Sequence, residues 1–464
     1  MSVSQVHWHE GLFMQPHHLQ LLQRQGLERS ALERRLASPF PYGVVEARLA
    51  TDALENMQVR FERLVAIMPG GAVIDIPHNA DLPALDIKRA LAAGGGSVTV
   101  SLALPSWQGG RANTLDQTTG DDARVKRMFK ISEQSITDEN TGDNAQPVAL
   151  RRLNARLITE NEDRTELETI PVCRITRGAG EEAGLARVDA KFVPPCFVAG
   201  GSAGLMKLLR DIADGVEASR KEQALQLSKS GWTPENLRGA QFIQLQKLRT
   251  LNRYAARLSS IVHAVTAGSA AASGGALPTF NLYLELRELH AELAALHPDR
   301  DPFDAPKYDH DNPGPVFYDL ESRLRQLLRD QGVKPAKKIP FAPDGADLAL
   351  DLSAEDLGAS DILLGVRTKM DPRALKELIE DKEKFKMMNY SQRRLRLFGV
   401  KLEEERYVVG VPTPPGQHYF RLNRTHEQGE KRWAGIQQEK KMALVWPPEE
   451  HFEYEDVALY LMFA

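Results

Sequence analysis

Cysteine is almost missing from this chain of 464 residues, in which Cys173 and Cys196 are the only two. Two thiols cannot staple a small secreted scaffold, and they fit a reducing cytosolic compartment. An excess of charge of one sign is missing as well. Asp and Glu number 63 against 59 Lys and Arg, for a formal charge of −4. The signs interleave, as in Asp381-Lys-Glu-Lys-Phe-Lys386 and Lys401-Leu-Glu-Glu-Glu-Arg406. No nucleic-acid partner is expected from that balance. The densest basic stretch, Arg393, Arg394 and Arg396, lacks the extended positive surface that neutralising many phosphates requires, and it reads as a solvated face. Long apolar runs are also absent. The most apolar stretch, Val457-Ala-Leu-Tyr-Leu-Met-Phe-Ala464, falls far short of the ~20 residues a spanning helix needs. No basic segment followed by an apolar one opens the chain, so a secretory signal is not expected.

What is present has an ordinary globular composition, with 42% hydrophobic and 26% charged residues, which excludes wholesale disorder and fibrous repeats. The length predicts roughly three domains, and the hydrophobic period divides the chain accordingly. Between about residues 40 and 200 the period is mostly two. Val98, Val100, Leu102 and Leu104 alternate with Thr99, Ser101 and Ala103, and further strand-like runs span 57–68 and 170–175. Residues 1–200 are therefore expected to form an N-terminal antiparallel β-sandwich, with the polar run 116–146 as a long loop.

From about residue 202 the period turns helical. Leu205, Leu208, Leu209, Ile212 and Val216 form one stripe. A second helix is expected to open at Thr233-Pro234-Glu235 and to carry Leu248, Leu251, Ala255, Leu258, Val262 and Val265. Leu282, Leu286, Leu289, Leu293 and Leu296 repeat the spacing, and Phe317, Leu320, Leu324 and Leu327 do so again. Residues 201–332 read as a helical bundle, with a trimeric helical neck equally compatible with the pattern. The proline-rich, acidic stretch 297–315 reads as a linker. Residues 333–464 return to short β-like runs at 406–411, 418–422, 443–446 and 457–463, with a small helix capped at Asp371-Pro372. A small C-terminal β-rich or α+β domain fits them, and the whole chain is expected to be multidomain α+β.

Few residues offer chemistry. Four histidines, His7, His9, His17 and His18, fall in the stretch 6–20, yet no carboxylate or cysteine pattern completes a metal site, so no metal or cofactor is expected. Gly200-Gly-Ser-Ala-Gly204 matches the G-x-S-x-G elbow of serine hydrolases. That elbow requires a parallel sheet of alternating strands and helices, whereas the preceding residues have strand periodicity alone. A flexible Gly/Ser/Ala hinge in which Ser202 caps the first bundle helix is the better reading. Asp309-His-Asp311-Asn-Pro-Gly314 begins like a calcium loop but places proline at the third ligand position and Leu320 where a bidentate Glu belongs. No phosphate-binding G-x-x-x-x-G-K-[ST] loop occurs.

The stretch 6–20 remains. A tryptophan, a Leu-Phe-Met run and a proline are costly to expose, so they pack on the first domain or bury in a partner. Trp8-His-Glu10-Gly11-Leu-Phe13-Met-Gln-Pro16-His-His18-Leu-Gln20 resembles the N-terminal signature of the TssK family of type VI secretion baseplate subunits, W-x-E-G-[ML]-F-L-x-P-Q-H-F-Q. Phe192-Val-Pro194-Pro195-Cys196 is similar to the F-[IV]-P-P segment that closes the first domain of that family. His9, His17 and Leu19 depart from the Ser, Gln and Phe of the pattern, so two of the histidines stand where the family does not usually need one.

The resemblance covers the whole chain and implies a β-sandwich shoulder, a helical neck and a small C-terminal head. It further implies a cytoplasmic, phage-like homotrimer without catalytic activity, docked at the inner face of the inner membrane when assembled and not inserted in it. The shoulder would join the wedge proteins TssF and TssG, and the head the cytoplasmic parts of the membrane-complex proteins TssL and TssM. Trp8, Leu12, Phe13, Met14 and His18 are the candidate wedge contacts, with packing inside the shoulder as their alternative. Phe452, Tyr454, Tyr460 and Phe463 are candidates on the head. Two other functions stay open at this point: a phage-type trimeric receptor that binds glycans, and an esterase built on Ser202.

Overall fold

The computed structural model describes residues 4–115, 126–178, 185–229, 240–266, 277–297, 299–329, 336–405, 408, 411–412, 414–424 and 427–463. The chain divides into two units, Met1–Ala218 with Thr250–Leu328, and Ser219–Arg249 with Arg329–Ala464. The first begins with helix α1, Pro16–Ala37, for which the sequence pattern supplied no expectation. Proline at the first helical position presets φ, and the Gln15 backbone N–H donates to His18 Nδ1 at 3.1 Å. Ala31 is the one buried residue of α1. It lies against Gly71, whose carbonyl accepts from Arg34 at 2.6 Å. The Arg24 guanidinium covers the Trp107 ring at 3.4 Å, and Arg151 donates to the Gln23 side chain at 3.0 Å.

Next come β1 (Gly43–Leu49), α2 (Thr51–Glu55), β2 (Gln58–Val59), β3 (Phe61–Ile67), β4 (Val73–Ile76), β5 (Leu85–Asp86), α3 (Lys88–Ala93) and β6 (Ser97–Pro105). They are followed by β7 (Phe129–Ile136), β8 (Gln146–Leu153), β9 (Arg156–Thr159), β10 (Leu167–Arg177) and β11 (Ala186–Val188). Two antiparallel sheets, in the orders β1-β3-β4 and β11-β10-β6-β9, share one core. One sheet contributes Leu64, Ala66, Ile74 and Ile76, and the other Val98, Val100, Leu102, Leu104, Ile170 and Ile175. The alternation in β6 sorts its side chains as read from the sequence. Ser101 and Ala103 on its other face are buried too, so this strand is covered on both sides.

The polar run 116–146 is not one long loop. Strands β7 and β8 pair from Phe129↔Leu153 to Ile136↔Gln146 as an antiparallel ribbon. From Glu133 to Ile136 and from Gln146 to Ala149 the ribbon is exposed on both faces, which removes the apolar alternation that marks a half-buried strand.

Four helices follow: α4 (Ala203–Lys229), α5 (Ala240–Thr266), α6 (Thr279–Ala294) and α7 (Pro313–Arg329). The expected stripes build a single helical core, in which Leu205, Leu209 and Val216 meet Leu251, Leu258, Leu282, Leu286, Leu289, Phe317, Leu320 and Leu324. The expected helix start at Thr233-Pro234-Glu235 lies outside the described residues. Backbone hydrogen bonds tie this core to the sandwich. Val44 N–H donates to Pro195 O at 2.8 Å, Phe197 N–H to Val44 O at 2.9 Å, Ala199 N–H to Leu277 O at 2.9 Å and Thr279 N–H to Phe197 O at 3.2 Å. Gly43, at φ +125°, permits the approach, since a β-carbon there would stand 2.6 Å from the Phe197 nitrogen.

The described residues of the 297–315 stretch are not a loose linker. They join α6 to α7 and fold back on the start of β1. The Tyr308 hydroxyl meets His310 Nδ1 at 2.9 Å, His310 Nε2 donates to Tyr42 O at 2.9 Å, and the Tyr42 hydroxyl donates to Asp311 at 2.7 Å. Phe40 stacks on His310 with ring centroids 4.9 Å apart, and the Tyr283 hydroxyl donates to Pro306 O at 2.8 Å. The proline and acid content concealed aromatic partners supplied from a distant part of the chain.

The second unit adds β12 (Lys337–Pro340), β13 (Ala342–Asp344), β14 (Asp347–Asp351), β15 (Asp361–Arg367), α8 (Pro372–Glu380) and β16 (Lys386–Asn389). It ends with β17 (Lys401–Glu405), β18 (Gln417–Asn423), α9 (Glu427–Glu439), β19 (Lys441–Val445) and β20 (Asp456–Met462). The antiparallel orders are β12-β20-β15-β18-β17 and β13-β14-β19-β16. Ile362, Leu364 and Val366 face a core completed by Leu375 and Ile379 of α8 and by Trp433 and Ile436 of α9. Leu363 turns the other way, to Tyr419, Ala458 and Tyr460. The Asp371 carboxylate accepts from the backbone of Arg373 and Ala374, the cap expected for α8. Most of the run expected at 406–411 lies outside the described residues. The chain is thus a multidomain α+β protein with antiparallel sheets in both units.

Candidate protein-binding surfaces

Residues 4–9 form neither helix nor strand, and a turn follows in which Leu12 N–H donates to His9 O at 3.2 Å with Gly11 at φ +82°. This geometry turns large apolar side chains outward. Trp8 is 49% exposed, Phe13 80% and Met14 59%, while Leu12 and His18 are partly covered. Leu19, Leu21, Leu22, Leu27, Leu32 and Leu36 continue the exposed apolar surface along α1. The Trp8 and His18 rings stand 6.2 Å apart, and His18 Nδ1 is spent on the helix start. Its capping role was not foreseen, although Gln15 and His18 have the three-residue spacing of a capping pair. His9 Nδ1 donates to Glu10 O at 2.9 Å. Among the described residues no three His, Cys, Asp or Glu side chains gather to hold a metal ion.

The Ser202 hydroxyl accepts from Leu205 N–H at 3.3 Å and is buried at the start of α4. It caps that helix. The glycines around it are tightly packed and form no loose hinge. Gly201 presses on the Val44 carbonyl, and a β-carbon on Gly204 would stand 2.9 Å from Ala190 O. Cys173 and Cys196 are both buried, and burial pushes the Cys173 thiol up to about 12.

On the second unit the four expected contacts separate. Phe452 is buried, edge-on to Phe385 at 5.2 Å and to Trp446 at 5.0 Å. Tyr460 is buried edge-on to Tyr419 at 5.2 Å. Both are interior, because their alternation belongs to core packing. Tyr454 and Phe463 are partly exposed, Tyr454 lying against Phe452 at 5.3 Å.

A family model described as "Bacterial Type VI secretion, VC_A0110, EvfL, ImpJ, VasE" matches residues 18–462. The chain belongs to this family, the TssK family. Among TssK relatives, the type VI secretion system baseplate component TssK1 of Pseudomonas aeruginosa is 23% identical over 445 residues, covering 93% of each chain. A TssK crystal structure superposes with a TM-score of 0.63 at 20% identity, covering all of both chains. A chain of the type VI secretion baseplate complex does so with a TM-score of 0.67 at 20% identity, again over both full lengths. A chain of a TssK-TssF-TssG baseplate subcomplex matches 71% of this one, and all of its own length, with a TM-score of 0.60 at 23% identity. These likenesses establish the TssK fold across both units. Among the described residues no helix is long and apolar enough to cross a membrane.

Proposed function

We propose that this chain is a non-catalytic adaptor of the type VI secretion system. Its N-terminal region binds the wedge proteins TssF and TssG, and its head binds the cytoplasmic parts of TssL and TssM. Three copies assemble as a cytoplasmic homotrimer at the inner face of the inner membrane. The division into a shoulder at 1–200, a neck at 201–332 and a head at 333–464 belongs to the same reading. The exposed Trp8, Phe13 and Met14 carry it, since large apolar side chains outside any core mark a surface meant to be covered. A related TssK chain solved together with TssF and TssG supports the choice of partner. The wedge contacts are Trp8, Leu12, Phe13, Met14 and His18, and those on the head are Tyr454 and Phe463. Trimerisation raises the effective concentration of each contact, so individually weak sites attach firmly together.

The test is binding of the full-length chain to a purified TssF–TssG complex, with and without Trp8→Ala and Phe13→Ala. Fully burying an exposed phenylalanine side chain returns about 1.5–3 kcal/mol, and truncating an aromatic anchor at an interface costs about 2 kcal/mol or more. Phe13→Ala is therefore expected to cost about 2–4 kcal/mol of binding while the melting temperature stays in place. Unchanged affinity in the double variant would remove this surface from the interface.

A further inference from the structure

The basic stretch at 393–396 is not absorbed by the adaptor reading, and the structure shows that its members differ. Arg393 is engaged internally: its guanidinium lies 3.7 Å over the Tyr390 ring, 3.6 Å from Asp344 and 3.4 Å from Asp347. Arg394 and Arg396 are exposed and make no hydrogen bond or ion pair to any other described residue. Between them Leu395 is 53% exposed, and two positions on Phe398 is 39% exposed, with Lys382 Nζ 5.1 Å from its ring centre. Residues 382–399 carry six Lys and Arg against Glu383; Lys384 pairs with Glu450 at 2.9 Å and Arg393 with Asp344 and Asp347, which leaves free positive charge on Arg394 and Arg396. The Arg432 side chain adds another cation beside the loop, donating to Gln392 at 2.6 Å.

The backbone of this loop is already committed. Leu395 N–H donates to Gln392 O at 2.9 Å, Leu397 N–H to Leu395 O at 2.8 Å and Gly399 N–H to Lys382 O at 3.3 Å. At its end, a β-carbon on Gly399 would stand 2.8 Å from Met387 N, so the loop is pinned against β16. A peptide adding as a strand finds no free donors at these three positions. Any partner must meet the side chains, which offer free guanidinium groups interleaved with exposed Leu and Phe. That combination fits a surface that is anionic at its face and apolar beneath it.

We propose that the loop 393–398 docks the protein peripherally on an anionic phospholipid bilayer. Arg394 and Arg396 meet the headgroup phosphates, and Leu395 and Phe398 enter the headgroup–acyl boundary. This contact goes beyond the adaptor reading and requires none of TssF, TssG, TssL or TssM.

The test is flotation of the full-length protein with vesicles of phosphatidylcholine alone, or of phosphatidylcholine mixed with phosphatidylglycerol. Binding is expected only to the anionic vesicles, falling as salt rises and the Debye length drops below ~10 Å. Each basic residue at such a surface is worth about fivefold in partitioning. Arg394→Ala with Arg396→Ala is thus expected to weaken binding about twenty-five-fold, and Leu395→Ser with Phe398→Ser to weaken it independently. Neither pair should move the melting temperature, because all four side chains are exposed. Equal binding to neutral vesicles, or wild-type binding by the double arginine variant, overturns the proposal. Displacement by inorganic phosphate at matched ionic strength overturns it in favour of a free-anion site. Capture on polyglutamate without capture on anionic vesicles overturns it in favour of an acidic protein surface. None of these outcomes bears on the TssF–TssG measurement, so the two readings fail separately.

Discussion

Replacing His310 by alanine separates a packed 297–315 segment from a loose one. The imidazole joins the Tyr42 carbonyl to the Tyr308 hydroxyl, both at 2.9 Å, and stacks on Phe40 at 4.9 Å. Removing it strands two polar atoms, each costing about 1–3 kcal/mol if left unsatisfied, and removes ring contacts worth about 0.5–1.5 kcal/mol each. Because these terms share partners they do not simply add, and the expected loss is about 3–5 kcal/mol. A linker residue would cost under about 0.5 kcal/mol. A chain of two units need not unfold in one step, so amide hydrogen exchange across 304–312 is the appropriate assay. The variant is expected to exchange about a hundredfold faster or more there, by the tenfold per ~1.4 kcal/mol conversion. Wild-type amides exchanging at the rate of an unstructured peptide, or an unchanged variant, would refute the packed arrangement.

The same residue sets a pH dependence. Burial lowers the His310 pKa below its ordinary 6.5, against the opposing pull of the Tyr42 carbonyl and of Asp311 and Asp309. As pH falls, the unfolded chain takes up the proton first. The contribution of this junction is therefore intact above about 6.5 and is lost as pH drops through the lower folded value. Protection of 304–312, corrected for intrinsic exchange, should fall below pH ~6.5 and do so less in His310→Gln. Ser202→Ala should cost about 1 kcal/mol by removing the cap of α4, a loss readable in a urea titration. A cost near zero would mean that the cap is idle. Gly365→Ala drives a β-carbon into the Tyr460 ring, and an overpacking loss of about 1–3 kcal/mol is expected in the melt. Gly358→Ala is the control, since nothing lies within 4 Å of its new β-carbon.

Much of the scaffold was legible because burial leaves a period. The stripe from Leu205 to Val216, the alternation of β6 and the Asp371 cap all appear where the residues place them. Helix α1 was not legible. Its leucines at 19, 21, 22, 27, 32 and 36 spread around most of the helix, and only Ala31 is buried, so no single stripe forms. The β7–β8 ribbon was concealed by exposure on both faces, and residues 297–315 by contacts that local composition does not register. At the candidate surfaces, residue type announced Trp8 and Phe13 as costly to expose. Telling Phe452 and Tyr460 from Tyr454 and Phe463 required the packing itself.

The four backbone bonds that lace Val44, Pro195, Phe197, Ala199, Leu277 and Thr279 have a mechanical consequence. Two of them hold the 195–199 strip to β1 and two hold it to the start of α6, so parting the sandwich from the helical core on either side means breaking a pair together. With the 297–315 segment bonded alongside at Tyr42, a torque applied to the sandwich reaches α4 and α6 without a compliant joint to absorb it.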